Sequence, residues 1–130
     1  MKEIKRILIA NRGEIALRAL RTIQEMGKEA IVVHSTADAD ALYVRYADAS
    51  ICIGEARSSD SYLNIPAIIT ACEVSQADAI FPGYGFLSEN QNFVEICAKH
   101  DIKFIGPSVQ AMALMSDKSK AKQMMMRAGI

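Results

Sequence analysis

The sequence feature that most constrains the fold is a series of short apolar runs separated by helix-like segments. Each run is partly β-branched or aromatic and is bounded by glycine, asparagine, proline or serine, which is typical of a strand. Because the runs are almost wholly apolar rather than alternating, each strand is predicted to be buried on both faces, as in a parallel sheet covered by helices. The five runs are RILIA (6–10), EAIVVH (29–34), SICIG (50–54), DAIFP (78–82) and KFIG (103–106).

The segments between the runs carry the periodicity of amphipathic helices. The first helix is predicted to end at Gly27, and a second is predicted to start near Pro66, where the missing N–H costs little. A third is predicted from Ser88, with Gln91 three residues later in a capping-box pattern. This alternation predicts an α/β fold with a Rossmann-like parallel sheet, in which residues 35–49 hold a short helix. The apolar face of the first helix is predicted to comprise Ile15, Ala16, Ala19, Leu20, Ile23 and Met26.

Length, charge and cysteine content narrow the class of protein. The 130 residues fit one domain, and 15 basic residues balance 15 acidic ones, so no basic field steers the chain to nucleic acid or to an anionic membrane. No stretch is long enough for a signal-peptide core or a membrane span. Cys52, Cys72 and Cys97 form no Cys-x-x-Cys pattern and are predicted to be reduced core thiols of a cytoplasmic protein. His34 is predicted at a strand end and His100 on a helix surface, and neither belongs to a metal-ligand pattern.

The segment ANRGE follows the first predicted strand and opens the first helix, where a dinucleotide-binding loop would lie. It has one glycine rather than three, and Glu14 in the first helical turn would repel a phosphate. Both features count against a nicotinamide-dependent enzyme. A helix start capped by its own residues is favoured, and Asn11 and Arg12 remain candidates to face a ligand or a partner domain.

A charged stripe lies opposite the apolar face of the same helix. Glu14, Arg18, Arg21 and Glu25 follow one another at spacings of four, three and four residues. One interpretation is a solvated face with ion pairs inside the helix. The other is a subunit interface built on arginine pairs, for which the planar guanidinium group is well suited.

The segment PGYGFLSEN, residues 82–90, lies at the carboxyl end of the fourth predicted strand, where open α/β sheets bind ligands. Gly83 and Gly85 allow the backbone to approach a ligand closely or to adopt positive φ. Tyr84 offers a flat apolar face and a hydroxyl group, and Glu89 is predicted near the start of the next helix, aimed into the same crevice. A tight turn with a packed aromatic side chain explains these residues equally well.

Three lysines, Lys118, Lys120 and Lys122, lie close together in SDKSKAKQ near the end of the chain. A solvated basic helix face is the ordinary interpretation of such a group. A lysine that neutralises a phosphate is the functional one. The spacing does not separate the two.

Four motifs occur in an order and at a spacing that resemble those of biotin carboxylases: ILIANRGEIALRALRT, SYLNIPAII, PGYGFLSEN and FIGPS…MSDKSKAK…MMRAGI. The resemblance extends over all 130 residues. It is to the biotin carboxylase subunit of acetyl-CoA carboxylase and to the equivalent N-terminal domains of pyruvate and propionyl-CoA carboxylases. It implies an enzyme that uses ATP, Mg²⁺ and bicarbonate to carboxylate biotin held on a carrier protein. Phe81 and Ser116 depart mildly from the family pattern, which often has histidine and glycine there.

The resemblance also implies roles for particular residues. Lys118 matches a lysine that contacts ATP. Tyr84 and Glu89 match residues that face the biotin and bicarbonate side of the cleft, and Gly83 and Gly85 keep the loop thin enough for Tyr84 to border the biotin site. No catalytic residue is assigned in this chain.

A dimer interface and a division of the chain follow from the same resemblance. Arg18, Arg21 and Glu25 match interface residues of a homodimer. Residues 1–115 are predicted to be the domain that precedes an ATP-grasp fold, and residues 116–130 are predicted to be the start of that fold. The expected partners of this chain are the rest of the ATP-grasp part of the same protein and a biotin carboxyl carrier protein or domain. The 130-residue chain is predicted to fold without catalysing, since the family's metal ligands and acid–base groups lie further along. The rival interpretation is a non-catalytic module that dimerises through the same helix.

Overall fold

Residues 3–106 are the part of the chain that the computed structural model describes, and they form a parallel sheet of five strands. The strands are β1 (Arg6–Ile9), β2 (Glu29–Ser35), β3 (Ala49–Gly54), β4 (Ala79–Phe81) and β5 (Lys103–Phe104). Their order in the sheet is β3-β2-β1-β4-β5, and every neighbouring pair is parallel, which confirms the predicted α/β fold. The helices are α1 (Gly13–Glu25), α2 (Leu42–Tyr46), α3 (Ile65–Ser75) and α4 (Gln91–Lys99).

Two apolar layers cover the sheet, one on each face. On one face, Ile7 and Ile9 of β1 pack in a cluster with Leu20 of α1 and with Tyr43 of α2. On the other face, Leu8 of β1 belongs to the cluster that contains the buried side chains of α3 and α4. Because successive side chains of a strand point to opposite faces, the continuous apolar run of β1 is buried on both sides, as predicted.

The edge strands are less buried than the sequence suggested. The prediction of burial on both faces is wrong for β3, where Cys52 is exposed, because β3 is the last strand on its side of the sheet. The core-thiol prediction holds for Cys72 on α3 and for Cys97 on α4, both of which are buried. Burial raises the pKa of Cys72 to about 12 and that of Cys97 to about 11, so both thiols are neutral.

The ends of α1 differ partly from the prediction. Gly27 follows the helix with a left-handed φ of +77°, as a terminating glycine should. Met26 follows the last helical residue, Glu25, and is 60% exposed rather than buried, and the prediction missed the buried Leu17. At the other end, the side chain of the N-cap residue, Arg12, makes no capping hydrogen bond, so the prediction of a helix start capped by its own residues is wrong.

The starts of α3 and α4 are both capped by asparagine. Asn64 caps α3, with Pro66 in the first turn as predicted. The predicted capping box at Ser88 is wrong: Asn90 caps α4 by accepting a hydrogen bond from the Phe93 N–H at 2.9 Å. Ser88 still belongs to the preceding turn, where its N–H donates to the Gly85 carbonyl at 2.9 Å, so it is too early in the chain to cap the helix.

Other sequence predictions have simple outcomes. The segment 35–49 contains a 3-10 turn at Thr36–Asp38 followed by α2, which confirms a short helix there. Within residues 3–106, no helix is both long and apolar enough to cross a membrane. Those residues also contain no group of three or more His, Cys, Asp or Glu side chains placed to hold a metal ion. Lys118 and the predicted second unit, residues 116–130, lie outside the described residues.

Candidate functional site

The candidate site lies where the carboxyl ends of β1 and β4 meet. These two strands are neighbours at the centre of the sheet, with β2 and β3 on one side and β5 on the other, so the strand order reverses between them. Open α/β sheets bind ligands in the crevice at such a reversal. The pairing continues one residue past the end of β1, because the Ala10 N–H donates to the carbonyl of Phe81, the last residue of β4, at 2.9 Å. Asn11 therefore emerges next to the loop that begins at Pro82.

The backbone of this loop needs both of its glycines. Gly83 and Gly85 have left-handed φ values of +67° and +68°, which glycine adopts without steric cost. A Cβ atom on Gly83 would also lie 2.8 Å from Ile15 Cγ2 and 3.0 Å from Asn11 Nδ2, so this glycine permits close packing on the start of α1. A Cβ on Gly85 would meet open space. Phe86 completes the loop with a φ of +47°, which is strained for a non-glycine residue.

Asn11 connects the two chain segments at the reversal point. Its Nδ2 group donates one hydrogen bond to the Pro82 carbonyl at 2.8 Å and another to the Tyr84 carbonyl at 2.6 Å. Its Oδ1 atom accepts from the Arg12 N–H at 2.8 Å. Asn11 is 2% exposed; its bond to the Pro82 carbonyl is buried, and the other two bonds are partly buried. Sequence analysis left Asn11 as a candidate to face a ligand, whereas its side chain is fully engaged with the protein.

Tyr84 stands out from the loop that Asn11 holds. It is 78% exposed, so the packed-aromatic interpretation of this tyrosine is wrong. Glu89 is also exposed and lies in the turn before α4, two residues ahead of the first helical residue. The structure thus places Gly83, Tyr84 and Gly85 together at the sheet reversal, with Glu89 further along the same connection.

A second group of polar residues lies beside the start of α1. The Arg12 guanidinium makes two hydrogen bonds to the Asp38 carboxylate, from Nε to Oδ2 at 2.6 Å and from Nη2 to Oδ1 at 2.7 Å. This pair and a hydrogen bond from the Tyr62 hydroxyl hold the pKa of Asp38 below its usual range. The guanidinium carbon also lies 6.0 Å from the centroid of the Tyr62 ring.

The Tyr62 hydroxyl links this ion pair to the strands. It donates to Asp38, accepts from the Ser35 N–H at 3.0 Å and lies 3.1 Å from the Tyr43 hydroxyl. Tyr43 in turn donates to the Val33 carbonyl at 3.1 Å, and burial raises its pKa. Sequence analysis missed this network, because residues 26 apart, such as Arg12 and Asp38, carry no local signal that they meet.

The charged stripe of α1 is exposed, as both of its interpretations require. Arg18, Arg21 and Glu25 are all exposed, and Arg18 Nε lies 3.3 Å from Glu14 Oε1 in an ion pair of the (i, i+4) type. Such a pair contributes only a few tenths of a kcal/mol, ~0.3–0.5. Next to the stripe, a groove of about 880 Å³ runs along the helix, and its apolar lining includes Ile15, Ala19, Met26, Phe81 and Tyr84.

The two histidines take the places predicted for them. His34 lies at the end of β2, with its Nδ1 atom 2.9 Å from the Ser35 carbonyl oxygen. His100 follows α4 at the surface, and its Nδ1 atom lies 2.7 Å from Glu73 Oε1. Neither histidine belongs to the loop at the sheet reversal, although His34 lies close enough to Asp38 to help lower its pKa.

Fold and loop together define the class of protein: an α/β domain with a glycine-containing loop at the reversal point of its parallel sheet. Comparison with known proteins gives the family. Residues 3–112 match the sequence model of the biotin carboxylase N-terminal domain. The chain is 61% identical over 125 residues to a biotin carboxylase of Nostoc sp., a match that covers 96% of the chain and 28% of that protein. The chain belongs to the biotin carboxylase family.

Solved structures agree with this assignment. The fold superposes with a TM-score of 0.93 on a biotin carboxylase–β,γ-ATP complex from Campylobacter jejuni, at 83% identity, over 98% of this chain and 29% of that one. It superposes with a TM-score of 0.89 on the biotin carboxylase domain of a thermophilic 2-oxoglutarate carboxylase bound to bicarbonate, at 40% identity, over 97% of this chain and 28% of that one. The chain therefore spans little more than a quarter of the length of these relatives.

Proposed function

We propose that this chain is the N-terminal part of a biotin carboxylase that uses ATP and bicarbonate to carboxylate biotin on a carrier protein or domain. The observation that supports the proposal is the loop at the sheet reversal, which Asn11 holds by two hydrogen bonds and from which Tyr84 is exposed. The chain that carries this loop belongs to the biotin carboxylase family. The relatives crystallised with β,γ-ATP and with bicarbonate support the two co-substrates.

The described residues supply one wall of such a site. Tyr84 would border biotin, since its exposed ring offers an apolar face to a flat bicyclic ligand, and the thin backbone at Gly83 and Gly85 allows close approach. Glu89, exposed before α4, would face the bicarbonate side.

ATP and Mg²⁺ would be held elsewhere in the polypeptide. Among residues 3–106 there is no acidic cluster for a metal ion, and the first turn of α1 carries the negative charge of Glu14. The described residues therefore offer no suitable site for the triphosphate of ATP and its metal ion, and we assign ATP binding to Lys118 and to the remaining ATP-grasp part of the protein. For the same reason we expect the 130-residue chain alone to cleave no ATP.

The test compares variants of the full-length polypeptide that carries this chain. We expect bicarbonate-dependent ATP cleavage that free biotin stimulates, and a rise in KM for biotin of roughly threefold to tenfold in Tyr84→Ala, for an aromatic contact of about 0.5–1.5 kcal/mol. Tyr46→Ala is the matched control, since Tyr46 is 62% exposed on α2 and lies outside the site. A full-length polypeptide without biotin-stimulated ATP cleavage would refute the proposal.

A dimer through α1 is a second proposal, supported by the apolar groove that runs beside the exposed stripe of Arg18, Arg21 and Glu25. Arg18→Glu would reverse the charge at the centre of this face and replace the Glu14–Arg18 ion pair with two like charges, and it is expected to convert dimers to monomers in sedimentation velocity. Arg45→Glu, on the exposed side of α2, is the matched charge-reversal control. An Arg18→Glu protein that sediments as the wild type does would rule out this face.

A further inference from the structure

We propose that Asn11 is a positioning residue, which fixes the loop 82–85 in one conformation and thereby sets the place of Tyr84 at the biotin site. The part of this inference that concerns biotin rests on the proposed function. The part that concerns the loop rests on geometry alone.

The donor pattern of Asn11 fits this task. Its single Nδ2 group donates to two carbonyls of the loop, at Pro82 and Tyr84, and those carbonyls flank Gly83. The opposite end of the amide accepts from the Arg12 N–H, which fixes the orientation of the side chain. An aspartate could keep that last bond, but an ionised carboxylate donates no hydrogen bond and would place an oxygen against two carbonyl oxygens.

These bonds are not needed to join the two strands. β1 and β4 already pair in parallel along their length, and the Ala10 N–H to Phe81 carbonyl bond extends that pairing to the edge of the loop. The Asn11 bonds begin only where the strand pairing ends. Their effect therefore falls on the conformation of the loop.

The loop is also fixed at its far end. The Phe86 ring packs against the Tyr62 ring with centroids 5.2 Å apart, and Gly83 lies so close to Asn11 and Ile15 that a Cβ would collide. Tyr84 is thus an exposed side chain on a backbone held from both sides. A binding group on a preorganised backbone loses little conformational freedom when the ligand binds.

Two readouts on the full-length polypeptide test this inference. The first is limited chymotryptic cleavage after Tyr84 or Phe86, followed by fragment mass, which reports loop opening without any need for activity. The second is KM for free biotin against kcat. In Asn11→Ala we expect cleavage at the loop to rise roughly tenfold, as the loss of one buried and one partly buried hydrogen bond implies. We expect KM for biotin to rise by a similar factor while biotin-independent ATP cleavage changes less than about twofold.

Companion variants separate this role from general stability. Asn11→Asp retains the size of the side chain and the bond to the Arg12 N–H, and we expect it to behave like Asn11→Ala because both donors are lost. Gly83→Ala disturbs the same contact from the loop side and serves if the Asn11 variants do not fold. Gln24→Ala removes a side-chain amide that also donates two hydrogen bonds, to the Tyr46 carbonyl and to the Asp48 carboxylate, near the opposite end of α1, and it is expected to leave both readouts near the wild-type values.

The outcomes are distinct. If loop cleavage in Asn11→Ala and Gly83→Ala is no faster than in the wild type, the inference is wrong, whatever the activity. If cleavage rises but KM for biotin does not, in an active enzyme, Asn11 does not position Tyr84 and the inference is also wrong. A wild-type polypeptide without biotin-stimulated ATP cleavage would reject the proposed function alone, since the cleavage rates would still decide whether Asn11 fixes the loop.

Discussion

Removal of the Tyr62 hydroxyl is the sharpest test of the buried polar network. Tyr62→Phe leaves an aromatic ring to pack against Phe86 and deletes only the oxygen that Asp38, the Ser35 N–H and the Tyr43 hydroxyl share. The substitution creates no large cavity, so its cost reports the hydrogen bonds.

The expected cost can be worked from the partners. The Ser35 N–H is in a residue that is 1% exposed, and leaving it without an acceptor costs about 1–3 kcal/mol. The Asp38 carboxylate loses one charge-assisted bond but keeps both bonds to Arg12, so this loss adds ~1–2 kcal/mol. We therefore expect Tyr62→Phe to lower the free energy of unfolding by about 2–5 kcal/mol.

Tyr43→Phe is the matched control for the Tyr62 substitution. Tyr43 is equally buried, but its hydroxyl contacts only the Val33 carbonyl and the Tyr62 hydroxyl, so its loss should cost about 0.5–1.5 kcal/mol. Urea unfolding of the 130-residue chain at pH 7, followed by far-UV circular dichroism, measures both values. A Tyr62→Phe variant no less stable than Tyr43→Phe would show that the shared oxygen does not carry the network.

Three further predictions follow from burial, charge and backbone geometry. Ellman's reagent should label Cys52 of the folded chain within minutes and the two buried thiols only as the chain unfolds; fast labelling of all three would contradict their burial. The pKa of Asp38 is lowered in the folded state, so the stabilisation from its ionised carboxylate is present above the ordinary pKa of 3.8 and is lost as the pH falls below that value. The loss of unfolding free energy caused by Asp38→Asn should therefore be larger at pH 7 than at pH 3, and an equal loss at both pH values would count against this account. Gly54→Ala should lower the free energy of unfolding in urea by more than ~3 kcal/mol, since the added Cβ would lie 1.9 Å from the Asp60 carbonyl oxygen. Gly85→Ala places its Cβ in open space and should lower it by about 1–2 kcal/mol, the cost of the left-handed backbone alone. Similar losses in the two variants would refute the predicted clash at Gly54.

Strand positions could be predicted because their physical cause is local. A run such as RILIA is apolar at every position, and burial on both faces follows from that alone. The exposure of Cys52 could not be predicted in the same way, because it depends on β3 lying at the edge of the sheet. Strand order depends on contacts between distant parts of the chain, so no single segment predicts it.

The same division holds at the candidate site. The need for Gly83 and Gly85 could be anticipated, since a Gly-Tyr-Gly segment after a strand indicates positive φ or close approach, and both occur. The bond from Asn11 to Pro82 joins residues 71 apart in sequence and exists only because β1 and β4 are neighbours. The cap of α4 could be predicted only in part. Its residue type is typical, since Ser88 and Asn90 are both good capping residues, but the backbone of the preceding turn determines that Asn90 is the one that caps the helix.

The bidentate pairing of Arg12 with Asp38 has a consequence for how anions reach this end of the sheet. Half of the Arg12 side chain is exposed, yet a carboxylate sits directly against its guanidinium group. From a distance such a pair presents a dipole and not a net positive charge, and the potential of a dipole decays faster with distance than that of a single charge. Over a Debye length of about 8–10 Å, the Arg12–Asp38 pair therefore contributes little long-range attraction for anions.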